Sequence, residues 1–307
     1  MLKFKPKYVL KPWGGDRIRD LLGRSDTPEG AVGESWELAD LKEHQSIVAE
    51  GDRAGQTLGQ LWRDGTLGGS AEGTFPFLLK WLDARESLSV QVHPDAQFCE
   101  ATGLGEPKTE AWYVASIEGR AKLHLGNYPG LDPGILRQAI ERGSIVKWMY
   151  EARPRVGEMY LVEAGTMHSV GAGLLLLEVQ QPSTSTYRIF DWGRTGEDGE
   201  PRELHLDEAC GAVRFNAFSL PQPKRQTVEG PGWALNTSMM GSVLPEEGLR
   251  VVIAEPGDCR IITDLGTYDM KRGDVLVAEK DDGALRVARG SCLWATESSQ
   301  SETASSS

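Results

Sequence analysis

Short apolar runs separated by turn residues recur along almost the whole chain, and they constrain its fold more than any other feature. Residues 75–82, 112–117 and 174–179 are examples, and each is rich in leucine, valine or aromatic residues. The 307 residues include 36 glycines and 16 prolines, which suits frequent turns. Many short strands with dense turn signals are typical of antiparallel β-barrels and jelly rolls rather than helical bundles. We therefore predict a fold dominated by β-sheet.

Local patterns also predict individual elements. Helical periodicity is limited to residues 58–63, residues 133–142 and a third segment over residues 205–212. Residues 75–82 (FPFLLKWL) and 88–93 (LSVQVH) flank the polar segment DARES. Two strand-like runs on either side of a turn-like segment predict a β-hairpin.

The domain organisation follows from length and from one proline-rich segment. At ~150 residues per domain, a chain of this length suggests about two domains or one large β-rich domain. Residues 216–232 contain three prolines and little periodicity, so we predict a linker there. Residues 1–215 would form the first domain, and residues 216–297 a second, β-rich domain that contains no histidine. Residues 298–307 are serine-rich and are predicted to form a disordered tail.

Charge and cysteine usage exclude several classes of protein. Thirty-three Lys and Arg residues against 45 Asp and Glu residues give a net charge of −12. This balance argues against nucleic-acid or membrane partners, because both need a basic face, and an anionic substrate would need a local cluster of positive charge. No apolar run approaches the length of a membrane span, and the N-terminus lacks the apolar region of a signal peptide. The four scattered cysteines are expected to be reduced, buried thiols of a cytoplasmic protein.

The segment from Leu88 to His93 alternates between apolar and polar residues. Leu88, Val90 and Val92 would share one face of a strand, and Ser89, Gln91 and His93 the other. The ordinary interpretation is an outer strand with a solvated face. A solvated face more often carries Lys, Glu or Thr, so the pattern favours metal or substrate ligation.

Two further residues become interesting only in combination. His168 follows a glycine-containing turn, which can direct an imidazole into the mouth of a barrel. Glu110 begins an apolar strand, where an unpaired buried carboxylate would be costly. Taken alone, the histidine is more often a hydrogen-bonded structural residue and the glutamate more often faces solvent.

Five segments of the chain resemble the type I mannose-6-phosphate isomerases, particularly the short bacterial form. They are GESWE (33–37), FPFLLKWLDARESLSVQVHPD (75–95), EPKTEAWYV (106–114), GTMHSVGAG (165–173) and QQPSTSTYRIFDWGR (180–194). The resemblance implies two cupin-like jelly-roll β-barrels with a few inserted helices. The first barrel would be catalytic, and the C-terminal one would lack metal ligands. Enzymes of this family depend on zinc and interconvert mannose 6-phosphate and fructose 6-phosphate.

The resemblance also implies a metal site with one Zn²⁺ per chain. Its ligands would be Gln91 and His93 from QVHPD, Glu110 from KTEAW and His168 from GTMHS. Such a mixed nitrogen and oxygen set suits zinc, and its single negative charge leaves the bound dication able to polarise substrate oxygens. An iron or copper site would typically contain more histidines.

The same resemblance assigns substrate-binding and catalytic residues. Lys80, Ser89 and Lys108 would surround the sugar phosphate, although a lysine that extends its ammonium to solvent is the ordinary alternative for Lys80. Arg188 would be the catalytic arginine, which stabilises an enediolate or holds the phosphate. Glu178 shares its strand face with Leu174 and Leu176, so its pKa should be raised, which suits a proton shuttle. A zinc-bound water or a histidine remains an alternative as the base.

These residues predict aldose–ketose isomerisation through a cis-enediolate. Two other functions stay open, namely a metal-dependent cupin oxygenase and a non-catalytic sugar-phosphate-binding protein. The sequence does not determine the oligomeric state.

Overall fold

The computed structural model describes residues 1–196, 199–215 and 222–298, and the predicted tail lies almost entirely outside them. Strands dominate this part of the chain. The first fourteen, in chain order, are β1 (Leu2–Lys3), β2 (Lys7–Gly15), β3 (Val32–Leu38), β4 (Asp40–Leu41), β5 (His44–Gln45), β6 (Leu78–Ala84), β7 (Val90–Val92), β8 (Glu110–Ile117), β9 (Leu123–Asn127), β10 (Met149–Ala152), β11 (Met159–Val162), β12 (His168–Val170), β13 (Leu174–Gln180) and β14 (Tyr187–Phe190).

Nine more strands and five short α-helices complete the described elements. The strands are β15 (Thr227–Gly230), β16 (Trp233–Met239), β17 (Val243–Leu244), β18 (Val251–Ile253), β19 (Cys259–Ile262), β20 (Thr267–Met270), β21 (Val275–Val277), β22 (Leu285–Arg289) and β23 (Ser291–Glu297). The helices are α1 (Arg17–Asp20), α2 (Leu58–Arg63), α3 (Ala96–Thr102), α4 (Pro133–Glu141) and α5 (Leu206–Ala212), with 3₁₀ turns at Ile145–Trp148 and Lys280–Asp282. The prediction of a mainly β fold with few helices is confirmed.

Four antiparallel sheets form the framework. Sheet I has the strand order β11-β8-β13-β6-β3-β2, and sheet II has the order β10-β9-β12-β7-β14. Sheet III has the order β1-β21-β18-β23-β16-β15, and sheet IV has the order β17-β22-β19-β20. Strands β4 and β5 form a separate two-stranded ribbon.

The side chains of β13 point alternately to the two faces of sheet I, and their contacts show how the sheets are layered. Leu174 and Leu176 are buried in an apolar cluster shared with Leu123 and Leu125 of sheet II. Leu175, Leu177 and Val179 point the other way, into a cluster shared with Trp233, Val251 and Leu293 of sheet III. Because strand side chains alternate between faces, sheet I separates two cores. Glu178 lies on the sheet II side.

Helices cover the outer face of sheet II. Val90 and Val92 of β7 pack with Leu136 of α4, Ala209 of α5 and Ile189 of β14. The polar residues at odd positions therefore face the space between sheets I and II. This agrees with the alternation seen in the sequence.

The three predicted helices form, and a side-chain cap begins two of them, α2 and α4. The hydroxyl of Thr57 accepts a hydrogen bond from the amide of Gln60 at the start of α2, and Asp132 caps α4 through the amide of Ile135. The helix α3 is absent from the sequence predictions. Asp95 caps it, and Gly103 ends it in the left-handed conformation with φ of 69°.

The predicted β-hairpin over residues 75–93 is wrong. β6 pairs with β13 and β3 in sheet I, whereas β7 pairs with β12 and β14 in sheet II. The polar segment between the two strands thus connects two sheets instead of closing a turn.

The predicted linker over residues 216–232 is also partly wrong, because β15 lies within it and pairs with β16. Residues 216–221 lie outside the described part of the chain. The two-domain division itself stays a prediction.

The described strands at the two ends of the chain meet in one sheet. Leu2 of β1 is opposite Val277 of β21, so β1 extends sheet III. Arg24 adds a buried contact, because it donates to the carboxylate of Glu37 at 2.8 Å and to the carbonyl of Gly273 at 2.7 Å. These contacts hold sheet III against the N-terminal part of the chain.

Two sequence expectations concern cysteines and membranes. Cys259 and Cys292 are buried as expected, whereas Cys99 and Cys210 are only half-buried. Within the described residues, every helix is too short or too polar to cross a bilayer.

Candidate metal centre

Three strands bring four of the predicted residues to one point between sheets I and II. His168 at the start of β12 is directly opposite Gln91 of β7, and Glu110 is the first residue of β8. His93 follows β7 by one residue on the same face as Gln91. His93, Glu110 and His168 are each only 1% exposed.

The ligand atoms of these side chains converge. One nitrogen or oxygen from each of His93, Glu110 and His168 lies within 4.8 Å of the others. Nε2 of His93 is 3.2 Å from Oε2 of Glu110, and Nε2 of His168 is 3.5 Å from Oε1 of the same carboxylate. Nε2 of Gln91 is 3.1 Å from Nε2 of His168. The four side chains therefore surround a common centre.

Backbone carbonyls orient both imidazoles. Nδ1 of His93 is 2.9 Å from the carbonyl oxygen of Ser185, and Nδ1 of His168 is 2.9 Å from that of Thr166. A carbonyl oxygen can only accept, so each Nδ1 carries the proton and donates it. The lone pair then lies on Nε2, which faces the centre. Outer partners of this kind fix metal-binding tautomers in proteins.

The electrostatic environment keeps the two histidines neutral and the glutamate ionised, the forms in which these side chains can bind a metal ion. Burial, reinforced by the nearby charge of Lys108, lowers the pKa of His93 to about 3. Burial also lowers the pKa of His168. Burial alone would raise the pKa of Glu110, but Lys108 and the two histidines hold it well below its usual range. Two neutral imidazoles thus meet one carboxylate.

The donor set fits a divalent cation. Both carboxylate oxygens of Glu110 are buried without a well-directed hydrogen bond from any described group. Such oxygens are costly to bury unless a cation or donor satisfies them. The amide oxygen of Gln91 accepts a hydrogen bond from Ser89 at 3.2 Å. A half-turn of that amide would present the oxygen to the centre.

Lys108 lies directly beside the centre. Its ammonium is 2.9 Å from Oε2 of Glu110 and 3.1 Å from Nε2 of His93, and its side chain is 5% exposed. The centre thus contains a buried ammonium paired with the carboxylate of Glu110.

A second buried charge cluster adjoins the first. Oε1 of Glu178 is 2.8 Å from the ammonium of Lys80, and Oε2 accepts from the indole of Trp112 at 2.9 Å. Burial and the nearby Glu110 raise the pKa of Glu178, and Lys80 opposes them. Burial would lower the pKa of Lys80, but Glu178 and Glu34 raise it above its usual value. The ammonium of Lys80 is thus paired inside the protein rather than extended to solvent.

Glu34 of β3 is a member of this cluster that residue-by-residue analysis of the sequence missed. Its carboxylate is 3.2 Å from Lys11 and 3.9 Å from Lys80, and it accepts from the indole of Trp36 at 2.7 Å. Burial would raise its pKa, but the two lysines lower it to about 2. The available signal was a charged residue at a buried strand position within GESWE.

Arg188 lies at the edge of this site. Its backbone is opposite that of Gln91 across β14 and β7. The guanidinium donates from Nη1 to the carbonyl of Glu203 at 2.7 Å, and its buried Nε has no hydrogen-bond partner among the described residues. Arg188 is thus placed next to a candidate ligand and retains an unused donor. No direct contact joins its guanidinium to Glu110 or to either histidine in the described structure.

Comparisons with known proteins identify the family. The family model for the catalytic domain of type I phosphomannose isomerase matches residues 1–118. Mannose-6-phosphate isomerase ManA of Bacillus subtilis (strain 168) is 32% identical over 295 residues, which cover 89% of this chain and 91% of that protein. A crystal structure of the mannose 6-phosphate isomerase from Bacillus subtilis superposes with a TM-score of 0.85 at 26% identity, covering 97% of this chain and 99% of that one.

A crystal structure of mannose 6-phosphate isomerase in a zinc-bound form shares the fold. Its TM-score is 0.72 at 14% identity, over 96% of this chain and 99% of that one. At that identity the likeness concerns architecture alone. The ManA match, by contrast, exceeds 30% identity over nearly the whole of both chains. The chain therefore belongs to the type I phosphomannose isomerase family.

Proposed function

We propose that this protein is a zinc-dependent mannose-6-phosphate isomerase, which interconverts mannose 6-phosphate and fructose 6-phosphate through a cis-enediolate. The observation that carries the proposal is the buried convergence of His93, Glu110 and His168, with ligand atoms within 4.8 Å of one another. Family membership supports the reaction, because the relatives named above are mannose-6-phosphate isomerases.

Gln91, His93, Glu110 and His168 would hold one zinc ion per chain. The ion would supply a positive centre that polarises substrate oxygens. The Nδ1 bonds of the two histidines to the carbonyls of Ser185 and Thr166 keep their Nε2 lone pairs available for it.

Glu178 is the residue we assign to proton transfer. In the open-chain aldose, a base removes the proton on C2 and returns it to C1, while a proton passes from the C2 hydroxyl to the C1 oxygen. Burial raises the pKa of Glu178 above its usual value, which suits a carboxyl group that has to accept and return a proton. Lys80 forms an ion pair with Oε1, and the indole of Trp112 donates a hydrogen bond to Oε2, so both oxygens are held in place.

Positive groups would stabilise the negative charge of the substrate and of the enediolate. Lys108 is within hydrogen-bond distance of Glu110 and His93, so its ammonium can face substrate oxygens at the centre. Arg188 would add its unused Nε donor. Lys80 and Ser89 would help hold the hydroxyls or the phosphate. Fixed donors in a water-poor site stabilise developing charge more than water does.

The remaining features of the proposal concern architecture and location. Sheets I and II would form a catalytic cupin-like jelly-roll barrel, and sheets III and IV a second one without metal ligands. Residues 1–215 and 216–297 would be the corresponding domains. We propose a cytoplasmic enzyme that acts on a small sugar phosphate, without nucleic-acid or membrane partners.

A coupled assay tests the reaction. Fructose 6-phosphate formation from mannose 6-phosphate should disappear after treatment with a chelator and return when zinc is added, at one zinc per chain. Stoichiometric iron with oxygen consumption would instead favour an oxygenase. Tight binding of mannose 6-phosphate without exchange of its C2 proton with solvent would favour a binding protein.

Arg188 provides a second test. Arg188→Ala should lower turnover about 100-fold, the typical cost of removing one transition-state donor, while zinc content stays unchanged. Near-normal turnover of this variant would refute the catalytic role of the arginine.

A further inference from the structure

β14 is the edge strand of sheet II, and its outer side has no neighbouring strand in the described structure. The backbone N–H and C=O of Arg188 are nevertheless both paired on that side. His205 donates its own N–H to the carbonyl of Arg188 at 2.8 Å. The N–H of Arg188 donates to Nδ1 of the His205 ring at 3.0 Å. One residue thus provides both bonds that a neighbouring strand would have made.

His205 is itself held in place by the start of α5. It precedes α5, and its carbonyl accepts the first helical hydrogen bond from Ala209 at 2.9 Å. Ala209 packs against Val90, Val92 and Ile189, on the outer face of sheet II. The position of His205 is therefore fixed relative to β7, the strand that carries Gln91.

Two more contacts complete the arrangement. The carbonyl of Glu203 accepts from Nη1 of Arg188 at 2.7 Å, so the same segment holds the backbone and the guanidinium. Nε2 of His205 is 3.9 Å from the carboxylate of Glu203. Because Nδ1 accepts a hydrogen bond, the ring proton lies on Nε2, on the side of that carboxylate.

We propose that His205 is a positioning residue for the isomerase reaction, because its ring nitrogen Nδ1 fixes the backbone of Arg188 and thereby aims the guanidinium. This inference rests on the proposed function. It assigns to His205 a task that concerns neither the metal nor direct contact with substrate.

Two variants of His205 distinguish the position of the acceptor atom, because one keeps it where Nδ1 lies and the other moves it. In His205→Asn, Oδ1 lies the same number of bonds from Cα as Nδ1 and can accept the N–H of Arg188. In His205→Gln, the acceptor lies one bond further out, where Nε2 stands, and cannot replace Nδ1. His124→Gln is a matched control, because His124 is a half-buried histidine of β9, flanked by Leu123 and Leu125, which face the core.

The experiment measures kcat/KM for mannose 6-phosphate, zinc content, and hydrogen–deuterium exchange at the amide of Arg188. His205→Gln and His205→Ala should lower kcat/KM by about 10- to 100-fold, the cost of a small misplacement of a catalytic group, with zinc content unchanged. His205→Asn should stay within about threefold of the wild type. Exchange at the Arg188 amide should be accelerated in the Gln and Ala variants only.

The proposal is overturned if the Asn and Gln variants lose activity equally, or if Gln and Ala behave as the wild type. The exchange measurement separates this outcome from failure of the proposed function. A wild-type protein without isomerase activity would refute that function. In that case, an equal hydrogen–deuterium exchange rate at the Arg188 amide in all variants would refute the contact with His205 as well. Faster exchange in the Gln and Ala variants alone would support that contact.

Discussion

Two pairs of sheets in this molecule enclose very different interiors. Between sheets III and IV an apolar cluster includes Val252, Cys259, Ile261 and Leu285. The buried carboxylates in this half of the molecule, Glu255 and Asp282, are each paired with a cation, Arg272 and the N-terminal ammonium. Between sheets I and II, leucines share the interior with the buried charged residues Lys80, Lys108, Glu110 and Glu178. Burying charge costs free energy unless each charge is paired. The contrast shows that similar antiparallel frameworks can serve packing in one place and chemistry in another.

The pairing itself follows a pattern. In the interior between sheets I and II, each ammonium lies between carboxylates or imidazole nitrogens, as Lys108 does between Glu110 and His93. No described residue gives the carboxylate of Glu110 a well-directed hydrogen bond. A bound divalent cation would satisfy these two oxygens, and the proposed zinc site would account for them in this way.

The largest expected effect comes from removing that carboxylate. Glu110→Gln should reduce isomerase activity by more than about 1,000-fold and abolish stoichiometric zinc binding. Mutation of a residue that only hydrogen-bonds to a metal ligand already lowers metal affinity or activity by about 10- to 100-fold, and loss of a ligand itself should cost more. Activity and metal content are measured together. The control is Asp269→Asn in sheet IV, an exposed carboxylate paired with Arg260, which should change neither. Retention of zinc by Glu110→Gln would contradict the site.

A smaller but still large effect concerns stability. Lys80→Met leaves Glu34 and Glu178 buried without their shared partner, so the free energy of unfolding should fall by about 3–5 kcal/mol. Chemical denaturation measures this change. Lys122→Met is the matched control, because Lys122 and its partner Glu151 are 41% and 37% exposed, and an exposed pair contributes at most about 1 kcal/mol. An equal loss of unfolding free energy in the two variants would show that the buried pairs of Lys80 are worth no more than the exposed pair of Lys122.

The free energy of unfolding, measured as a function of acidic pH, should report on the buried pairing of Glu34 with its lysines. The pKa of Glu34 is lowered to about 2 in the folded protein, whereas an unfolded glutamate titrates near 4.5. The unfolded chain therefore binds more protons in this window, and the stabilisation from Glu34 is lost as pH falls from 4.5 towards 2. The loss should reach up to about 1.4 kcal/mol per pH unit. Glu34→Gln should flatten this part of the stability profile, and an unchanged slope would contradict the pairing.

The smallest effect is expected in the apolar interior. Ile261→Val should lower the free energy of unfolding by about 0.5–1.5 kcal/mol, because one buried methylene is lost. Activity at a temperature where the variant stays folded should not change. A large change in kcat from this substitution would show that the interior between sheets III and IV influences the metal centre.

The sequence predicts the site better than it predicts strand pairing. The two-residue alternation around Gln91 and around Glu178 survives in the structure, because one face of each strand is buried against an apolar core. The hairpin over residues 75–93 fails, because local patterns identify strands but not their partners. The pairs actually formed, such as Glu178 with Lys80, join residues far apart in the chain.

Other features were present in the sequence but not interpretable alone. Asp95 and Gly103 bracket α3 with capping signals, yet its sequence shows no apolar face, and none of its residues is buried. Arg188 and His205 are 17 residues apart, and only the fold brings the ring nitrogen of His205 to the backbone of Arg188. Such contacts depend on how α5 packs on sheet II.

The pairing of β1 with β21 has a consequence for biosynthesis. A ribosome completes Leu2 long before it completes Val277, the residue opposite it in sheet III. β1 therefore has no edge partner until β21 has been synthesised. Sheet III is completed only after β23, which follows β21 in the chain, has also paired with β16 and β18. The edge pairing of β1 therefore cannot guide the folding of the strands synthesised before β21.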